Sequence, residues 1–309
     1  MKKTTRRILT ALTALLIAVQ TALPAMAADE PAETDNTAAE TVTAENTVSE
    51  QKTETEMPYD EAESDKETAA ETDDTEKTGR VIFMLYHDIA PGDTLRETDT
   101  PEWCTTEARL RENIETLYAL GFESLSCAQY YDGDYEKDRD YFVLTFDDGY
   151  LSNYTILPSV LEETGAYADI FMCTEMTRLD NHFKYSDAKE MEAGGLIKVY
   201  SHFNKHEYIN ELSKSELKRE LKLSLGYLDK RIGGERDMFF AYPHSSYSEE
   251  TIKYLKDLGI TLQFVQFLPP SSYSIDWRDY GITLRATVGY ESDIEALVDE
   301  YFTLLNKGN

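Results

Sequence analysis

The sequence predicts an α/β domain in which a mostly parallel sheet closes into a barrel ringed by helices. Three observations predict it. Strand-like and helix-like segments alternate from residue 81 onward, about seven strands fall within one domain-sized stretch, and polar residues of catalytic type stand just after several of those strands. An open doubly wound sheet is the alternative that shares this alternation.

Each element has a local reason. Residues 81–86 are an apolar run of strand length, followed by a long loop. Residues 106–120 read as a helix because Leu110, Ile114, Leu117 and Leu120 recur on one face and Gly121 follows. A strand at 141–146 precedes a helix at 156–164 that stops at Gly165. A strand at 167–172 precedes a short helix at 187–193, ended by Gly194 and Gly195. The strand at 196–200 is followed by a capping box, Ser213 with Glu216, which opens a helix running to about residue 232. A strand at 238–242, a helix at 249–258 stopped by Gly259, strands at 260–265 and 282–288, and a helix at 293–305 complete the series.

The sequence before residue 80 has a different chemistry. Residues 1–27 combine a basic start (Lys2, Lys3, Arg6, Arg7), an apolar run at 8–19 and Ala25-Met26-Ala27, the layout of a cleavable signal peptide. The run is shorter than the roughly 20 residues a spanning helix needs, so export without stable membrane insertion is expected. Residues 28–79 carry 18 acidic residues against three lysines. So little apolar content cannot offset the ordering entropy, and this tract is expected to be a disordered acidic linker. Residues 80–309 form the expected catalytic domain. Of the formal charge of −29, the first segment holds four basic residues and the second a net −15, so −18 falls on this domain. That balance argues against nucleic acid and anionic membranes as partners and is compatible with a neutral or partly cationic glycan. Cys104, Cys127 and Cys173 are odd in number and lack Cys-x-x-Cys spacing, so they read as packing residues. A secreted or cell-surface monomer is expected.

Four strands end on polar groups: His87-Asp88, Asp147-Asp148-Gly149, Ser201-His202 with His206 beyond it, and Pro243-His244. In a parallel barrel these strand ends open on one rim. One Asp and two His there make a three-ligand site for Zn²⁺ or a similar divalent ion, with positions left for water and substrate. Adjacent buried carboxylates repel unless a cation or proton intervenes, so one of Asp147 and Asp148 can be a ligand while the other takes a proton from water.

Thr145-Phe146-Asp147-Asp148-Gly149-Tyr150 resembles the first motif of the polysaccharide deacetylases, carbohydrate esterase family 4 with its NodB-like domain. Ser201-His202-Phe203-Asn204-Lys205-His206 is similar to the second, Phe240-Ala241-Tyr242-Pro243-His244 to the third, and Asp276-Trp277 to the fourth. The resemblance implies a distorted (β/α)7 barrel. It implies Asp148, His202 and His206 as ligands of a divalent ion, Zn²⁺ foremost, and Asp147 as general base. A backbone N–H after Pro243 would help stabilise the oxyanion. Tyr150, Pro243, His244 and Trp277 are assigned to the N-acetylated polysaccharide substrate.

Two departures stand out. Ala241 replaces the arginine that commonly holds the catalytic Asp, so that partner is expected to be missing. The late Leu-x-His, source of the acid, is replaced by the stretch at 283–288, and no histidine follows His244. Leu85-Tyr86-His87-Asp88-Ile89 ahead of the Asp-Asp motif resembles the poly-β-1,6-N-acetylglucosamine deacetylase branch, which implies His87 as the acid. Peptidoglycan deacetylation, acetyl-ester removal from xylan and a non-catalytic glycan-binding barrel are the alternatives. A non-haem iron oxygenase shares only the ligand types.

Overall fold

The structure is a computed structural model that describes residues 78–266 and 281–306. Seven parallel strands close a ring: β1 (Val81–Tyr86), β5 (Tyr141–Asp148), β6 (Ala168–Met172), β7 (Ile197–Ser201), β8 (Phe239–Ala241), β9 (Leu262–Gln266) and β10 (Ile282–Thr287), with β10 returning to β1. The open-sheet alternative is thereby excluded, and the expected distorted (β/α)7 barrel is present. The distortion is visible in the pairing. β1 and β5 share six register pairs, whereas β7 and β8 meet at one, Ser201 with Phe240.

The strands read as unbroken apolar runs because helices and barrel interior cover both faces. Alternation then splits the side chains. Phe83, Val143, Phe171 and Phe264 fill the interior, whereas Ile82, Met84, Phe142, Leu144 and Ile170 join the larger cluster beneath the helices. That cluster receives Leu110, Ile114 and Leu117 from α1 (Glu107–Ala119), and Val298 and Phe302 from α8 (Ile294–Asn306). Burial of such apolar side chains, each worth about 1.5–3 kcal/mol, supplies the framework that holds the rim.

Several short elements escaped the sequence reading. The long loop after β1 contains β2 (Asp88–Ala90) and β3 (Cys104–Thr106), paired in parallel as a two-stranded sheet. β4 (Glu123–Ser124) pairs with the start of β5, and α2 (Cys127–Asp132) follows it, capped by Ser126 and Gln129. The helix read at 156–164 is present as α4 (Leu157–Thr164), and a short α3 (Leu151–Thr155) precedes it. Elements of two to six residues are too short to show a periodicity. Of the longer helices, α5 (Tyr185–Ala193) starts two residues earlier than read. α6 (Lys214–Arg231) has the expected Ser213–Glu216 capping box, and α7 (Glu249–Asp257) ends before Gly259. All three cysteines are buried and free.

Candidate active site

β5 runs two residues further than read and carries both aspartates to the rim. Alternation along a strand sends neighbouring side chains to opposite faces. Here Asp148 adopts φ +72° and Gly149 φ +88°, which turns the chain so that both carboxylates reach one cavity. A left-handed backbone is strained at a non-glycine residue, and such strain gathers at functional positions. Gly149 itself is required. A Cβ there would have a left-handed φ and lie 3.2 Å from Met172 Cβ and 3.3 Å from the Phe183 ring.

β7 delivers His202, and the loop beyond it delivers His206. The ligand loop is pinned from behind. Asn204 accepts from Thr174 Oγ1 at 2.8 Å and donates to the buried Glu220 carboxylate at 2.7 Å, while Ser201 bonds Ser224 at 2.8 Å. His202 Nδ1 lies 2.9 Å from the Ala241 carbonyl and donates to it, which leaves the Nε2 lone pair facing the cavity. His202 Nε2 lies 3.5 Å and His206 Nε2 3.3 Å from Asp148 Oδ1.

These three atoms fit a divalent ion. In a tetrahedral site with bonds of about 2.0–2.1 Å, neighbouring donors stand roughly 3.3–3.4 Å apart. Asp148 Oδ1 is buried and has no hydrogen-bond partner among the described residues. Burial holds His202 down at about 3 and also lowers His206, so both rings are neutral and available as ligands. Burial likewise pushes Asp148 up to about 6, with the Asp147 charge adding to the rise. A cation at this point reverses that penalty. A second cluster, Asp88, Asp99 and Cys104, already has its cation: the Arg96 guanidinium pairs with both carboxylates.

Asp147 corrects one expectation. The arginine missing at Ala241 is replaced from another strand. Arg285, pointing inward from β10, donates from Nη1 and Nη2 to the two carboxylate oxygens at 2.7 and 2.6 Å. Burial alone would raise Asp147, but Arg285 and then His202 outweigh it and hold the carboxyl at about 2. Arg285 lies in the stretch read only as the place of a lost histidine. The available signal was a single charged residue, Arg285, within a strand of apolar residues and threonines, where a buried charge must have a partner.

The rim histidines do come together. His87, His202, His206 and His244 all line one cavity of about 660 Å³ with Asp147 and Asp148. Burial lowers His87, opposed by Asp148 and Asp147. Tyr150 lines the same cavity and stacks on His182, ring centres 4.9 Å apart. His244 occupies a left-handed turn, φ +55°, between His206 at 4.0 Å and Tyr208 at 4.2 Å. Pro243 departs from its assignment: it is buried as the first residue of that turn and is not among the cavity-lining residues. Trp277 lies outside the described residues.

A closed parallel barrel whose rim gathers an Asp-His-His cluster able to hold a metal ion, and a second, arginine-held aspartate, has the layout of a hydrolase site. Residues 134–263 match the model of the polysaccharide deacetylase family. YxkH of Bacillus subtilis, a polysaccharide deacetylase by name, is 27% identical over 188 residues, 60% of this chain and 64% of its own length, so the chain spans less than two thirds of that relative. The fold superposes on the Streptococcus pyogenes deacetylase PplD in complex with acetate (TM-score 0.61, 18% identity, 72% of this chain and 98% of that one). It also superposes on a polysaccharide deacetylase from Bacillus cereus (TM-score 0.60, 19% identity, 72% and 69%). The family model and the named relative make this chain similar to polysaccharide deacetylases over part of its length, and the solved structures share its fold.

Proposed function

We propose that this protein is a secreted, metal-dependent deacetylase that removes N-acetyl groups from N-acetylglucosamine units of an extracellular or cell-wall polysaccharide. The observation that carries the reading is Asp147, a buried carboxylate kept ionised by Arg285 beside a three-donor cluster that leaves it unused. Binding a sugar requires neither group.

Asp148, His202 and His206 would hold the ion, with Zn²⁺ the best match to one carboxylate and two neutral imidazoles. When bound, it polarises the acetamide carbonyl and lowers the pKa of water. Asp147 accepts the proton of the attacking water, and Arg285 keeps its two oxygens in place throughout. The donor assigned to the developing oxyanion is the His244 N–H, in the left-handed turn beside the cavity. As the C–N bond breaks, the sugar nitrogen must gain a proton because an amide nitrogen is a poor anionic leaving group. His87 gives it. A ring whose affinity for protons is lowered by burial is the stronger acid once charged. Acetate and a free sugar amine are the products.

The use of His87 in place of a late histidine supports the poly-β-1,6-N-acetylglucosamine branch as the substrate class. The basic and apolar pattern of residues 1–27 supports export. Arg285 also removes one of the two departures that favoured a binding-only barrel. Incubating the Zn²⁺-loaded protein with N-acetylglucosamine oligomers should release acetate, and a chelator should abolish it. Asp147→Asn should retain the ion and lose activity by about 10²–10⁴-fold. Equal acetate release from that variant removes Asp147 as the base.

A further inference from the structure

The two histidines that flank Asp147 are oriented by different forces. His202 is fixed by its Nδ1–H donating to the Ala241 carbonyl. His87 has no such anchor: its Nδ1 is buried without a hydrogen-bond partner among the described residues. What its ring does touch is Trp103, edge to face, with centres 5.0 Å apart and planes at 76°. Both rings line the cavity, and Trp103 remains 42% exposed, so part of its surface is open to a ligand.

Trp103 is itself held in place by several independent contacts. It lies on the excursion between β2 and β3, whose two strands pair in parallel. Its carbonyl accepts the Asp88 N–H at 3.2 Å, and its own N–H donates to the Thr100 carbonyl at 2.9 Å. Arg96 ties the loop by pairing with Asp88 and Asp99. At the far end the excursion rests on the turn after β10. The Tyr290 N–H donates to the Pro101 carbonyl at 2.8 Å, and Gly289 comes so close that a Cβ there would lie 2.2 Å from Pro101 O. The excursion is thus anchored at three places, and one consequence is an indole set against an imidazole.

We infer that Trp103 is the positioning residue for His87, holding the imidazole by edge-to-face packing so that its proton reaches the leaving sugar nitrogen, and that its exposed face stacks on the neighbouring sugar ring. This rests on the reading of His87 as the acid. Aromatic edges attract ring faces. Packing of this kind fixes a ring without taking up either nitrogen, which leaves the acid free for transfer. A misplacement of about 1 Å at a reacting group lowers rates by roughly 10²-fold.

The test is a double-mutant cycle on the Zn²⁺-loaded full chain, with acetate release measured on N-acetylglucosamine oligomers of two lengths. Trp103→Ala should lower kcat by about 10–100-fold with zinc content unchanged, and should raise KM for the longer oligomer more than for the shorter. Trp103→Phe should recover kcat to within about threefold of the parent. In a His87→Ala background, Trp103→Ala should change kcat by less than about twofold, because a residue acting through another is non-additive with it. Full kcat in Trp103→Ala, no recovery by Phe, or an undiminished loss in the His87→Ala background each overturns the assignment. If Trp103→Ala fails to fold, the Phe variant and a Trp103→Leu variant decide: Leu, with bulk but no ring, should fall short of Phe. A parent chain that releases no acetate sinks the deacetylase reading itself, a result separate from any of these.

Discussion

Two aspartates inside the barrel, on adjacent strands, have opposite electrostatic fates. Asp147 on β5 and Asp169 on β6 both face the interior, and the register places Asp169 beside Thr145, two residues below Asp147. Both are almost fully removed from solvent, at 3% and 0% exposure. Asp147 is held at about 2, whereas Asp169 is pushed up to about 7. Burial is the largest influence on each, so burial cannot be the difference. Asp147 has a guanidinium on both oxygens. Asp169 has only neutral donors, the Cys127 N–H at 2.7 Å and the Cys127 thiol, and its Oδ1 has no partner among the described residues. One arginine therefore separates a carboxylate poised to take protons from one that already holds its own near neutrality.

Removing that arginine should break the contrast and produces the largest expected effect. Arg285→Met leaves Asp147 as an uncompensated buried charge, which costs about 3–5 kcal/mol of stability. Denaturant unfolding at pH 7 measures it. Because Asp147 then resembles Asp169, its carboxyl should titrate higher, and the acidic limb of the pH–activity profile should move upward. Arg285→Lys should fall between, since a single ammonium cannot reproduce two parallel bonds to one carboxylate. An unchanged acidic limb in Arg285→Met removes Arg285 from the account of Asp147.

The same pair shows how far the sequence could be read. Asp147, Asp148, His202 and His206 were legible because each follows a strand-like run and the barrel brings strand ends together. Their convergence is what the folded chain displays. The pairing of Arg285 with Asp147 was not legible, since β10 is separated from β5 by more than 130 residues and the pairing depends on ring closure through β1. Knowledge of the usual arginine position pointed to Ala241 and thus to a false absence. The place of Trp103 beside His87 was hidden for a different reason. Its excursion is built of three-residue strands and ion pairs, which leave no periodic trace. Asp169, in a run that alternates with the apolar Ile170 and Phe171, gave no sign of a function either, and its setting became clear only when Cys127 was found opposite it.

Asp169→Asn sharpens the comparison from the other side, with a smaller effect that depends on pH. In the folded chain Asp169 titrates at about 7, against 3.8 for the ordinary carboxyl. Folded protein therefore keeps a proton that unfolded chain has released between those values, and by linkage stability declines as pH rises through that window. The contribution is complete below about pH 4 and lost above about pH 7, with an upper bound near 4 kcal/mol from the displacement. Asparagine still accepts the Cys127 N–H and carries no charge at any pH. The variant's advantage over the parent should thus grow by about 1–3 kcal/mol between pH 4.5 and pH 8. Subtracting the two unfolding curves cancels the other titrating groups, Asp147 and Asp148 included. A difference that stays flat across this range means Asp169 is ionised in the fold and has found a cation, and the two aspartates are then alike after all.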